Sequence, residues 1–203
     1  MTEVSIVNYG IGNTGSICNM FRKLRIEAEV VSSPMALSNA KRLILPGIGA
    51  FDACMHALDV AGLRESVLEF AATKRPMLGI CVGMQMLTAG SEEGTLPGLG
   101  LIRAFTKRFP DVDGLRIPHM GWNTIRWSTP DHPLASGLLN DCRFYFVHSF
   151  RVICESSANS LAECAYAGDF SAAIVSGNIV GVQFHPEKSH RFGLRLLSNF
   201  ATA

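Results

Sequence analysis

Apolar positions along the chain follow two regimes. In the first half, short unbroken apolar runs alternate with stretches whose apolar residues recur every three or four positions. VSIVNY (4–9) is β-branched and stops at Gly10-Ile11-Gly12-Asn13, after which Ile17, Met20, Phe21 and Leu24 share one face of a helix. AEVVSS (28–33) and RLILP (42–46) read as the second and third strands, the latter running into Pro46-Gly47-Ile48-Gly49. A helical region from about Asp52 to Thr73, interrupted near Gly62, leads to PMLGI (76–80), which ends directly at Cys81 and a further helical segment. Strands that are apolar throughout and separated by helices predict a parallel sheet covered on both faces.

From about residue 98 to 184 the strand-like pieces lie closer together: GLIRAF, IPHMGWNTIRW, RFYFVHSF, SLAECAY, SAAIVSG and NIVGVQF. Ser176-Gly177-Asn178 between two β-rich runs is a hairpin signal. Phe192, Leu196 and Phe200, at four-residue steps, predict a closing helix from about Ser189 to Phe200. With no linker, repeat or shift in composition, residues 1–203 read as a single α/β domain with a mixed sheet.

Composition narrows the function classes. At 48% hydrophobic and 17% charged, the 203 residues can bury a sizeable core. A formal net charge of +1 offers no global attraction to nucleic acid or an anionic membrane surface. No run approaches the roughly 18 apolar residues a membrane span needs, and MTEVSIVNYG has no basic region ahead of an apolar stretch. A cytoplasmic protein is expected. The cysteines at 18, 54, 81, 142, 154 and 164 form no CxxC pair, and Cys54 with His56 supplies too few ligands for a metal. No metal or cofactor is expected, and every cysteine but Cys81 reads as a small buried apolar residue.

Cys81 stands apart because of its neighbours. Gly79-Ile80-Cys81-Val82-Gly83 places it between an apolar strand and a helix, with glycines two residues to either side, as in the nucleophile elbow of hydrolases. A turn that sharp leaves no room for side chains beside the nucleophile, and a helix N-terminus favours a thiolate. The Val82 N–H is then placed to donate to an oxyanion. A base and an orienting group follow the late strand in Gly181-Val182-Gln183-Phe184-His185-Pro186-Glu187-Lys188. His185 and Glu187, two apart, would project to one side of an extended segment, so Glu187 can orient His185 and His185 can activate Cys81.

GICVGMQ and FHPEKS together resemble the triad-type (class I) glutamine amidotransferases. NYGIGN (8–13), LPGIGAF (45–51), PHMGWN (118–123) and YFVHSF (145–150) resemble, within that family, the glutaminase subunits of imidazole glycerol phosphate synthase. The resemblance implies a flavodoxin-like three-layer fold with a central, mostly parallel mixed sheet. It implies that Cys81 attacks the side-chain amide of L-glutamine, with His185 and Glu187 completing the triad, and that no cofactor takes part. Backbone N–H groups of Gly47, Ile48 and Gly49 would form the oxyanion strand with Val82. Gln85, Glu93, His148 and Ser149 match positions that hold the glutamine. Asn13, Trp122, Asn123, Tyr145 and Lys188 match segments facing a (β/α)8-barrel cyclase, with which the glutaminase forms a heterodimer. That complex makes imidazole glycerol phosphate and AICAR in histidine biosynthesis, and its ammonia must travel without meeting bulk water.

Departures from the family pattern are few. Thr88 and Ala89 replace an aromatic and an acidic residue, Phe150 replaces a common Tyr, and KSHRFGLRLLSNF is similar to a branch that passes ammonia to a sugar-modifying amidotransferase in surface-polysaccharide synthesis. That acceptor is the alternative expectation. A partner-independent thiol hydrolase and a degenerate scaffold protein are two further readings; PHMGWN and YFVHSF oppose the first, and the intact Cys81, His185 and Glu187 oppose the second.

Overall fold

A computed structural model of the chain describes residues 3–138 and 141–202. Its first half runs β1 (Val4–Val7), α1 (Thr14–Leu24), β2 (Ala28–Val31), α2 (Pro34–Asn39), β3 (Leu43–Gly47), α3 (Phe51–Val60), α4 (Arg64–Ala72), β4 (Met77–Cys81) and α5 (Val82–Met86). The second half adds β5 (Ala104–Arg108), β6 (His119–Trp127), β7 (Arg143–His148), β8 (Phe150–Cys154), β9 (Ser160–Ala165), β10 (Asp169–Ser176), β11 (Ile179–Val182) and α6 (His190–Thr202). Short 3-10 turns cover Pro133–Ala135, Ser157–Asn159 and Pro186–Lys188.

The strands join in the order β2-β1-β3-β4-β11-β10-β9-β6-β7, with β8 branching from β10 and carrying β5. Pairing is parallel from β2 to β11, and β1, β3, β4 and β11 are buried at every residue. Those are the unbroken apolar runs of the sequence, and helices on both sides account for their burial. The other pairings are antiparallel, and β7 alternates buried and more exposed positions accordingly. The start of the strand order, 2-1-3-4, is flavodoxin-like, with ligand sites expected at the carboxyl ends of the strands. α1 packs on α6, and α6 buries Gly193, Leu196, Leu197 and Phe200, one face at helical spacing.

Three elements depart from the sequence reading. α2, which the apolar pattern does not predict, is six residues long, started by Pro34 and capped by the Ser33 hydroxyl, which accepts from the Ala36 N–H. GLIRAF is not a strand over its length. The N–H groups of Leu99, Leu101 and Ile102 bond back to the carbonyls of Met86 and Leu87 at the end of α5, so β5 starts only at Ala104. RFYFVHSF divides at Ser149 into β7, paired with β6, and β8, paired with β5.

The turn at Cys81 is built by contact between backbones. A Cβ on Gly83 would lie 2.0 Å from the carbonyl oxygen of Leu45, and one on Gly79 would lie 2.6 Å from that of Gly83. Gly83→Ala is therefore expected to lose at least about 3 kcal/mol of stability, read as a lower urea midpoint. Gly15→Ala, on α1 with nothing within 4 Å of the added carbon, should be neutral or stabilising by up to about 1 kcal/mol.

Candidate active site

Cys81 ends β4 with φ 55° and ψ −114°, a conformation that side chains other than glycine rarely adopt. Holding it costs on the order of 1–3 kcal/mol, supplied by β3 and α5 pressed against the turn through Gly47, Gly79 and Gly83. Val82 and Gly83 open α5, so their N–H groups lie in the first turn, where no intrahelical carbonyl can satisfy them. The Cys81 side chain is almost fully buried.

His185 follows β11 and is fixed by its backbone. Its N–H donates to the Tyr145 carbonyl at 2.9 Å, while the Ser189 hydroxyl donates to the His185 carbonyl at 2.6 Å and accepts from the Tyr145 N–H at 3.0 Å. Phe184 stacks on Phe144 with ring centres 3.9 Å apart, clamping the segment to β7. His185 Nδ1 donates to Glu187 Oε1 at 2.8 Å, with side chains 3% and 1% exposed. Glu187 reaches this position from a 3-10 turn opened by Pro186, not from the extended segment that the two-residue spacing predicts; the turn brings the carboxylate to the Nδ1 edge of the ring. Nε2 of His185 is buried with no hydrogen-bond partner of normal geometry. Burial opposes the imidazolium, but the interactions with Cys81 and Glu187 outweigh it and raise His185 to about 10.

A pocket of about 420 Å³ opens over these groups, at the carboxyl ends of the parallel strands. Of the residues singled out from sequence, Cys81, His185, Ile48, Gly49, Val82, Gln85, Glu93, His148, Ser149 and Lys188 line it. Gly47 lies behind it, against the backbone of Val82 and Gly83. The Glu93 carboxylate accepts from the N–H of Phe51 at the start of α3, at 2.9 Å. Asp52 ties down the neighbouring loop by accepting from the N–H groups of Thr95 and Leu96. His148 is nearly buried, and burial pushes its imidazole down to about 3. Thr88, one of the departures, is fully buried; its hydroxyl donates to the Gln85 carbonyl at 2.8 Å and lies 3.0 Å from that of Gly90.

Three residues at the site carry roles the sequence reading missed. Gln183, fully buried, accepts from the Gln85 amide at 3.0 Å and directs its own amide at Cys81 Sγ, 3.9 Å away. Its i, i+2 relation to His185 was the available signal. Tyr9 donates to the Pro46 carbonyl at 2.6 Å. Cys54, read as a bland core residue, donates to the Ile48 carbonyl at 3.3 Å, and burial raises its thiol so that it remains a donor. Tyr9 and Cys54 thus hold the Pro46–Gly49 segment at two of its carbonyls. Cys142 and Cys164 are buried as anticipated, whereas Cys18 and Cys154 are half-buried.

Beside the pocket, Trp122 is 46% exposed and stacks on His190 with ring centres 5.3 Å apart. It faces Tyr145 across the β6–β7 ladder, and Lys188 Nζ lies 5.5 Å from the Tyr145 ring centre. Asn123 is half-buried next to Trp122, and Asn13 precedes the first residue of α1, the helix that contacts the 186–188 turn. Among the described residues no three His, Cys, Asp or Glu side chains are grouped to hold a metal ion, and no helix is long and apolar enough to cross a membrane.

Comparison with known proteins agrees with this geometry. The sequence profile of the family described as Glutamine amidotransferase class-I matches residues 5–203. The chain is 46% identical over 198 residues to the imidazole glycerol phosphate synthase subunit HisH 2 of Methanococcus maripaludis, covering 97% of this chain and 98% of the relative. It is 45% identical over 203 residues to the subunit HisH of Bdellovibrio bacteriovorus, covering 98% of each. These names do not favour the sugar-modifying alternative. In structure it is similar to PurLQS from Thermotoga maritima, with a TM-score of 0.76, 18% identity and coverage of 98% of this chain and 97% of that one. A glutamine amidotransferase from Thermotoga maritima gives a TM-score of 0.66 at 18% identity, over 98% of this chain and 82% of that one. At those identities the likeness concerns the fold alone. The chain belongs to the class-I glutamine amidotransferase family, and its near-full-length likeness is to the HisH subunits within it.

Proposed function

We propose that Cys81, His185 and Glu187 hydrolyse L-glutamine to L-glutamate and ammonia, and that the ammonia passes to a (β/α)8-barrel cyclase bound beside the pocket. The observation that carries the reading is the buried His185–Glu187 pair beside a thiol on a strained strand-to-helix turn, with Cys81 and His185 lining one pocket. His185, raised to about 10 beside Cys81 and Glu187, can hold the proton that Cys81 gives up as it attacks. The Cys81 sulfur bonds to the side-chain carbonyl carbon of glutamine, and the carbonyl π electrons move onto oxygen. Collapse of that adduct breaks the C–N bond as Nε2 of His185 gives its proton to the leaving nitrogen, so ammonia departs and a thioester remains. Water then attacks the thioester while His185 takes its proton, and glutamate leaves as the thiolate re-forms.

The oxyanion needs fixed N–H donors. Val82 offers one at the start of α5. The Ile48 carbonyl is held by Cys54, and in a trans peptide the Gly49 N–H points the opposite way, away from α3. Donors of this kind are worth about two to three orders of magnitude in rate. Gln85, Glu93, His148 and Ser149 form the walls that hold the amino-acid part of glutamine. Trp122, Asn123, Tyr145, Lys188 and Asn13 form the cyclase-facing side. The aromatic residues in this patch are of the types that anchor interfaces, and a sealed contact keeps ammonia from protonation. The six free cysteines fit work in the reducing cytoplasm.

Cys81→Ala should abolish glutamate release with the fold intact. His185→Asn should be nearly as damaging, and Glu187→Gln less so, because orientation is partly replaceable. Retained turnover in a clean Cys81→Ala preparation would overturn the nucleophile assignment. Adding the cyclase barrel of the same genome with its ribonucleotide substrate should strongly stimulate glutamate release; a folded chain left idle by that barrel would exclude it as the acceptor. Stability carries a pH signature. A folded-state value raised from 6.5 to about 10 at His185 contributes stability that is full below pH 6.5 and is lost as pH rises towards 10. Urea midpoints should therefore fall across that window, and less steeply in Glu187→Gln.

A further inference from the structure

Behind the pocket wall, three polar side chains form one continuous run of hydrogen bonds. His148 Nδ1 lies 2.7 Å from the Phe150 carbonyl oxygen, His148 Nε2 lies 3.0 Å from His119 Nδ1, and His119 Nε2 lies 3.3 Å from Asn123 Nδ2. The Asn123 amide also donates to the Ala165 carbonyl at 3.2 Å, and its oxygen accepts from the Thr124 N–H at 2.8 Å.

Carbonyl oxygens only accept, so both ends of the run are determined. Phe150 requires a proton on His148 Nδ1, and Ala165 together with Thr124 requires the NH2 group of Asn123 to face His119. Burial pushes His119 down to about 4 and His148 to about 3, so each ring is neutral at pH 7 and carries one proton. Only one arrangement then avoids two acceptors or two donors meeting: Asn123 donates to His119, His119 donates through Nδ1 to His148, and His148 donates through Nδ1 to Phe150. His119 cannot swing out of the run. Its ring lies between Tyr166 and Phe146, with ring centres 3.9 Å and 4.7 Å away and interplanar angles of 22° and 24°.

We propose that His119, oriented by the Asn123 amide, is a positioning residue that fixes the tautomer and ring orientation of His148 and, through His148, the Ser149–Phe150 backbone of the glutamine pocket. This rests on the pocket being the glutamine site. Ser149 is where β7 and β8 part, outside both ladders, so the peptide lining the pocket there depends on the His148–Phe150 bond for one of its anchors. The alternative tautomer of His148 would break that bond and set Nε2–H against the Nδ1–H of His119.

The test combines a structural and a kinetic readout on the full chain with 15N-labelled histidine. Long-range 15N–1H correlation at pH 7 should show both His119 and His148 in the Nδ1–H form. His119→Phe keeps a ring between Phe146 and Tyr166 but removes both polar atoms; it should give mixed tautomers at His148 and raise KM for glutamine roughly tenfold, with kcat within about twofold. His119→Gln, which can accept at one end and donate at the other, should restore most of the KM. Asn123→Asp presents an acceptor to His119 Nε2 and should put a proton there, visible in the spectrum even if His119→Phe does not fold. An Nε2–H form at either histidine of the natural chain, or a folded His119→Phe with unchanged His148 tautomer and unchanged KM, overturns the proposal. Absence of glutamine turnover by the natural chain with and without a barrel partner would instead defeat the glutaminase reading, with the tautomers still deciding the run of bonds.

Discussion

Everything at the candidate site depends on a backbone that one residue must hold against its own preference. Cys81, at φ 55° and ψ −114°, is held there by the close packing of β3, β4 and α5 around it. Three glycines make that packing possible. Gly47, Gly79 and Gly83 let one backbone touch another where a Cβ would come within 2.0 to 2.6 Å of a backbone atom. The parallel sheet supplies rigidity because β3, β4 and β11 are buried along their whole length. The same sheet brings the end of β11 beside the end of β4, through the pairing of Val182 with Ile80. Strain at the thiol and placement of the imidazole are two consequences of one packing arrangement.

Electrostatics then separates three histidines that burial alone would treat alike. His119, His148 and His185 are each at most 7% exposed. The first two have only neutral hydrogen-bond partners, so desolvation keeps them uncharged. His185 faces a carboxylate on one side and a thiol on the other, and the balance reverses. A neutral pair can set the shape of a wall without adding charge to it, whereas a charged imidazole can carry a proton to a leaving group.

Much of the fold was legible in the sequence because its first half follows simple periodicities. The all-apolar runs, the helical face of Ile17, Met20 and Phe21, the break at Gly62 and the Gly177–Asn178 hairpin all rest on local chemistry. α2 was hidden because six residues cannot show a period, and its local support is only Pro34 at its start and the cap at Ser33. β5 was misplaced because residues 99–102 bond to the end of α5, a tertiary fact with no local signature. The elbow glycines revealed the thiol, and the late strand revealed His185 with Glu187. The pocket walls at Glu93 and at His148–Ser149 come from two segments far apart in the chain, so only the family resemblance pointed to them. Cys54, Tyr9 and Gln183 were missed because each acts on a backbone or a neighbour whose position is set by the completed fold.

The mechanism stands on Cys81 being the residue whose sulfur meets the amide carbon of glutamine. The most direct measurement is intact-mass and peptide mapping of the chain after exposure to a diazoketone analogue of glutamine, with and without excess glutamine. A single adduct on Cys81, prevented by glutamine and leaving the other five cysteines untouched, is the predicted result. Labelling of a different cysteine, or loss of glutaminase activity with Cys81 unmodified, would contradict it.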